Sequence, residues 1–145
     1  MTKIIQFILL VIMLATFSSV AIANVSFYDE AIKMYNEKKY DDAKFLFERN
    51  IVYNPKNVES YLYLAKIYNQ KEEQNKEEQN LDTVLLLEPS NEEAILMSMK
   101  IALKKSNYSK VKSLSKIFVK VCKKLCNEND SIKESLKNIE SKNES

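Results

Sequence analysis

Glycine, histidine and tryptophan are absent from the 145 residues, arginine occurs once as Arg49, and proline and cysteine occur twice each. Each scarcity removes a class of chemistry. Without glycine, the turns that cradle phosphates and dinucleotides have no residue to build them. Without histidine, the commonest general base and the commonest metal ligand are missing. No paired carboxylates, nucleophile motif or cofactor fingerprint takes their place. The sequence therefore reads as non-enzymatic, with no cofactor and no metal.

What remains is ordinary globular material: 46% hydrophobic and 29% charged residues, enough for one domain with a modest core. Net charge is +2, with basic and acidic residues interspersed. No concentrated basic face stands out, so nucleic acid is not an expected partner. The nearest approach, Lys116 with Lys120, Lys123 and Lys124, reads as a solvated helical stripe.

Residues 1–23 have the layout of a secretory signal. Lys3 supplies the positive start, Ile4 to Ala15 is apolar apart from Gln6, and Ala21-Ile22-Ala23 offers a small-x-small cleavage site. Cleavage there leaves an exported chain beginning at Asn24, periplasmic in a bacterium or secreted. The stretch from Ile4 to Ala23 is also long enough to span a bilayer, so an uncleaved anchor stays open as an alternative. Membrane contact is expected only in that case.

The chain after the leader carries a period. Pro55-Lys56-Asn57 returns as Pro89-Ser90-Asn91 thirty-four residues later, and Tyr40 recurs as Tyr108 two periods on. A fixed period in this range marks stacked helix pairs. Setting the prolines at the thirty-second place of each unit gives units 24–57, 58–91 and 92–125. Unit one reads Phe27-x-x-Glu30-Ala31-x-x-Met34, then Tyr40, Ala43 and Phe47. Unit two reads Tyr61-x-x-Leu64-Ala65-x-x-Tyr68, with Glu77 where a small residue is expected and Leu81 where an aromatic is expected. Unit three keeps Ile95 and Tyr108 but has Ser98, Met99 and Lys123 at the remaining places. It reads as a degenerate terminal unit.

These residues resemble the tetratricopeptide repeat family, whose unit is two antiparallel helices with proline closing the second. The resemblance implies an all-α stack of three helix pairs, and a short capping helix is expected at 131–140. Ser131-x-x-Glu134 resembles a capping box for that last helix, and residues 141–145 should fray. Lys-Glu-Glu-Gln-Asn occurs twice between Lys71 and Asn80, which fits a polar turn followed by a helix capped at Asn75-x-x-Glu78, or else a low-complexity linker. Its charge points to an exposed edge.

In this family the groove is lined by the first helix of each unit. The resemblance carries that role onto Tyr28, Ile32, Tyr35 and Asn36 in unit one. Unit two contributes Leu62, Lys66, Asn69 and Gln70, and unit three Leu96, Lys100, Leu103 and Lys104. A mixed apolar and lysine groove suits a protein or peptide segment of acidic character. The subfamily that grips chain termini is not matched, because its asparagine and basic places fall on residues such as Asp29, Tyr63 and Met97. Association of stack ends into a homo-oligomer is the alternative. Cys122 and Cys126 form either a short-loop disulfide, in keeping with export, or a pair of free thiols. A redox role is the least supported reading, since the spacing is not Cys-x-x-Cys.

Overall fold

The computed structural model describes residues 26–143, and the leader expected at 1–23 lies outside them. Among the described residues seven helices follow one another: α1 (Phe27–Asn36), α2 (Tyr40–Tyr53), α3 (Val58–Gln70), α4 (Gln74–Leu87), α5 (Glu92–Lys104), α6 (Tyr108–Val121) and α7 (Glu128–Asn143). No strand occurs among the described residues. Helices pack in pairs, α1 with α2, α3 with α4 and α5 with α6. Each pair leans on the next through α2–α3 and α4–α5, and α7 closes the row against α5 and α6.

The two prolines sit at equivalent points. Each follows the end of a second helix by two residues, where its missing N–H and fixed φ forbid another turn. Asn57 and Asn91 then start the next helix in the same way, their side chains accepting from Ser60 N at 2.8 Å and Ala94 N at 3.0 Å. Small residues lie where the paired helices cross: Ala31, Ala43 and Ala65 are completely buried. Three apolar clusters fill the stack, one per pair, centred on Phe47, on Leu81 with Val84, and on Met99 with Phe118.

The turn inside each pair also repeats. Lys38, Glu72 and Ser106 hold left-handed backbone, with φ of 61°, 59° and 55°. In each case the next residue's N–H reaches back five residues: Lys39 to Met34 O, Glu73 to Tyr68 O and Asn107 to Ala102 O, at 2.8–2.9 Å. This is the six-to-one closure that normally calls for glycine. The chain has none, so three ordinary residues carry the strain.

Four boundaries and environments differ from the sequence expectation. The polar Lys71–Asn80 segment is not an exposed edge throughout: α4 starts at Gln74, and Glu77 is only 3% exposed. Asn75 does not cap it, and Glu78 instead pairs with Lys105 and Lys110 across the unit boundary. The sixth helix stops at Val121, the place that Tyr53 and Leu87 hold in the first two units, and the cysteine segment lies beyond it. The last helix begins at Glu128, not at 131, and residues 141–143 belong to it. Asn129 anchors its start, buried and accepting from Ser115 Oγ at 2.8 Å, while Ser131 Oγ bonds Glu128 O inside the first turn.

Glu77 stands where unit one has Ala43 and unit three has Val111, both fully buried. Its carboxylate accepts from Asn69 Nδ2 at 2.9 Å. Burial raises its pKa above the ordinary 4.5, with Glu78 adding to the rise and Asn69 and Lys104 opposing it. A raised folded-state value means the fold holds this proton more tightly than the unfolded chain does. The group's stabilisation is thus complete at low pH and is lost as pH climbs from about 4.5 through the folded value. Glu77→Gln should flatten that decline, seen as a smaller difference between urea midpoints at pH 5 and pH 7. Equal declines in both proteins would locate the pH dependence elsewhere.

Candidate functional site

The first helices α1, α3 and α5 stand side by side and present one face. Its centre is a set of interlocked rings. Phe47, fully buried, stacks on Tyr63 with centroids 5.1 Å apart and planes 9° from parallel. Tyr28 meets Phe47 edge-on at 6.0 Å, and Tyr35 meets Tyr63 edge-on at 4.9 Å and Tyr40 at 5.5 Å. Such edge and offset contacts suit the ring quadrupoles and fix each tyrosine's direction. Tyr28, Tyr35 and Tyr63 are half-buried, with Ile32 beside them in the same condition. The phenols of Tyr28 and Tyr35 are raised above 10.0, first by burial and then by neighbours including Glu59 for Tyr28 and Glu93 for Tyr35. They therefore stay protonated and can donate.

A charged pair borders the rings. Lys66 Nζ lies 2.9 Å from Glu93 of α5 and 4.7 Å from the Tyr63 ring centroid. The ammonium is thus held between a carboxylate and an aromatic face. Lys100, one period later, is exposed and lies 3.6 Å from Glu128 of α7. The two lysines do not form one free cationic row.

Of the expected lining residues, Tyr28, Ile32 and Tyr35 gather with Tyr63, and Lys66 lies over its ring, whereas Lys100 meets Glu128 of α7 and Asn36, Gln70 and Lys104 are exposed. Leu62 and Leu96 are mostly covered, with Leu62 keeping an edge on the cleft beside this face. They are buried at 4% and 6% exposure in the second and third clusters. Leu103 packs on the third cluster, and the Asn69 amide is engaged by Glu77. The fifth place of units two and three thus points inward, because α3 and α5 are covered on both flanks by neighbouring helices. Tyr63, Glu59 and Glu93 were missed. The last two are thirty-four residues apart, so the same period that located the lysines also marks them.

The face continues into an open cleft of about 650 Å³, walled by Glu59, Leu62 and Glu93 on one side and by Lys120, Lys124 and Leu125 on the other. Glu92 holds the far wall in place: its carboxylate accepts from Lys124 N and Leu125 N, both at 3.0 Å. The backbone N–H groups of Lys123, Leu125 and Lys124 accordingly lower its pKa. Cys122 and Cys126 are paired across this turn, with Cα atoms 5.3 Å apart. Among the described residues no cluster of acidic or cysteine side chains is placed to hold a metal ion. The site offers aromatic surface, phenol donors and a few charges, which suits gripping side chains and backbone carbonyls.

No protein-family model matches the sequence, and no curated protein does. Solved structures match the fold. The Yersinia enterocolitica type III secretion chaperone SycD, in complex with a peptide of the translocator YopD, is similar with a TM-score of 0.69 at 14% identity, over 81% of this chain and 92% of that one. The second TPR domain of human RPAP3, in complex with an HSP70 peptide, gives 0.63 at 19%, over 75% and 93%. The Sgt2 TPR domain from Aspergillus fumigatus gives 0.67 at 14%, over 82% and 80%. The chain has a TPR-like fold.

Proposed function

We propose that this protein is a non-enzymatic interaction module of the bacterial envelope that holds a segment of a partner polypeptide against the tyrosine-lined face of α1, α3 and α5. The observation that carries the proposal is the ring cluster itself: Tyr28, Tyr35 and Tyr63 are pinned by their neighbours yet half-exposed on one side. Rigid aromatic anchors of this kind dominate binding energy at interfaces. That SycD and RPAP3 were solved with peptides supports the same use of the fold here. The leader-like residues 1–23 and the paired cysteines support an exported setting.

The acidic character of the partner is narrower than the sequence suggests. Lys66 is already matched by Glu93 and Lys100 by Glu128, so acidic side chains would find Lys104 at the α5 end, and apolar ones the rings at the α1 end. A photo-reactive residue at Ile32 should cross-link a partner in an expressing bacterium, while one at Leu86 on an outer helix should not. Lys66→Glu with Lys100→Glu should lower partner recovery at least about tenfold. A folded double variant with an unchanged partner list would count against the groove.

A second reading rests on the outer face of α2, where Phe45, Val52 and Tyr53 are 57%, 76% and 66% exposed and Arg49 lies 4.2 Å from the Phe27 ring centroid. This apolar end could seat a second copy. A monomer by light scattering at high concentration removes that reading.

A further inference from the structure

The charges are not interspersed in the last third of the chain. From Ala94 to Asn127, thirty-four residues, there are nine lysines and no aspartate or glutamate, which leaves the rest of the chain at −7 for an overall +2. Part of this excess is matched within the fold, since Lys105 and Lys110 pair with Glu78 and Lys100 approaches Glu128. The remainder gathers along α6 and the turn after it. Lys116, Lys120, Lys123 and Lys124 are exposed and make no ion pair among the described residues.

Helix α6 faces the core with Val111, Ser115 and Phe118. Its opposite face carries Lys116 and Lys120, one turn apart, flanked by Ile117 and Val119 at 43% and 56% exposure. We infer that this face docks on an anionic lipid surface, the lysines lying at the phosphates and the two aliphatic side chains entering the headgroup layer.

Several features favour lipid over other polyanions. The face is the outer side of a single helix, and only its C-terminal end, at Lys120 and Lys124, turns into the cleft beside α3 and α5, so Lys116, Ile117 and Val119 meet a plane better than a strand of peptide. All of its cations are lysines, flexible point charges without the planar fork that reads one carboxylate or phosphate geometry. Its aromatic residues, Tyr108 and Phe118, are turned to the core, leaving no platform for stacking bases. Each lysine near an anionic membrane contributes about 1 kcal/mol, and the attraction fades beyond a Debye length.

Vesicle co-sedimentation tests the assignment. The ratio of partition onto phosphatidylglycerol-containing over pure phosphatidylcholine vesicles should be at least about 100 in low salt and fall toward one in 0.5 M salt. The leader, with Lys3 its one charge, contributes equally to the original chain and to a lysine variant, so the comparison of the two is free of it. Lys116→Gln with Lys120→Gln should cut it about 30-fold without changing the thermal midpoint. Because the chain has no tryptophan, Val119→Trp supplies a single reporter whose emission should shift to the blue on anionic vesicles alone. A ratio near one, or one indifferent to the lysine changes, overturns the inference. So does lysine-dependent capture by polyglutamate in place of vesicles, which would assign the face to an acidic polypeptide.

Discussion

Phe47→Ala should destabilise the protein by about 3–5 kcal/mol, the largest loss expected from any single change outside the backbone turns. Phe47 is completely buried and stands where three helices meet. Its ring supports Tyr63 face to face and Tyr28 edge-on, and its cluster includes Ala31, Ala43, Leu64 and Ile67. Removing it deletes the transfer energy of a phenyl group and leaves a cavity whose walls are helix backbones already in close contact through alanines. Those walls cannot collapse far, which puts the cost at the upper end. In urea the midpoint should fall by roughly 2 M with little change in slope. Phe47→Leu keeps most of the volume and should lose about a third as much. The two effects of Phe47→Ala should appear together, because Tyr63 loses its floor: partner cross-linking from Ile32 should fall even at temperatures where the variant is folded. A loss below about 1 kcal/mol would mean the rings are not packed as described.

Much of this architecture was legible because the prolines carried it. Pro55 and Pro89 end helices two residues after Tyr53 and Leu87, and the asparagines behind them make the same cap. Any position transferred by thirty-four residues therefore lands in an equivalent place. What the period cannot supply is the local competition at each place. Glu77 looked like surface because carboxylates usually are, yet the crossing of α3 and α4 encloses it and Asn69 satisfies it. Leu62 and Leu96 share a register with Tyr28, but flanking helices cover them almost entirely where the outermost helix leaves Tyr28 half-exposed. Ser131-x-x-Glu134 has the form of a cap, and the helix starts earlier because Asn129 is fixed by Ser115. The four lysines Lys116, Lys120, Lys123 and Lys124 were visible in the sequence, but a net charge of +2, averaged over regions of opposite sign, concealed that no carboxylate lies between Ala94 and Asn127.

The second large effect is a gain. Lys38→Gly, Glu72→Gly and Ser106→Gly together should raise stability by about 3 kcal/mol and the melting temperature by roughly 10 °C. A residue with a Cβ in left-handed backbone costs about 1–2 kcal/mol. Glycine removes that cost and returns a fraction of it as lost chain entropy, leaving about 1 kcal/mol at each site. The three turns are in separate units and share no partners, so the gains should add. No residue type advertised these positions, since the usual glycine is missing; only their spacing and φ of 55–61° identify them. Calorimetry of the single, double and triple variants would show three similar increments. A flat or falling series would mean that the turns relax out of left-handed geometry in solution.

The matching asparagine caps at Asn57 and Asn91 make the block from Val58 to Asn91 a self-contained cassette. A second copy spliced in after Asn91 would begin behind the same signal that begins the original, and α5 would in turn begin behind the copy's final asparagine. The reach of the binding face would grow by one helix, with the ring cluster at one terminus and α7 at the other left as they are. Selection or an engineer could therefore lengthen the groove without redesigning either end.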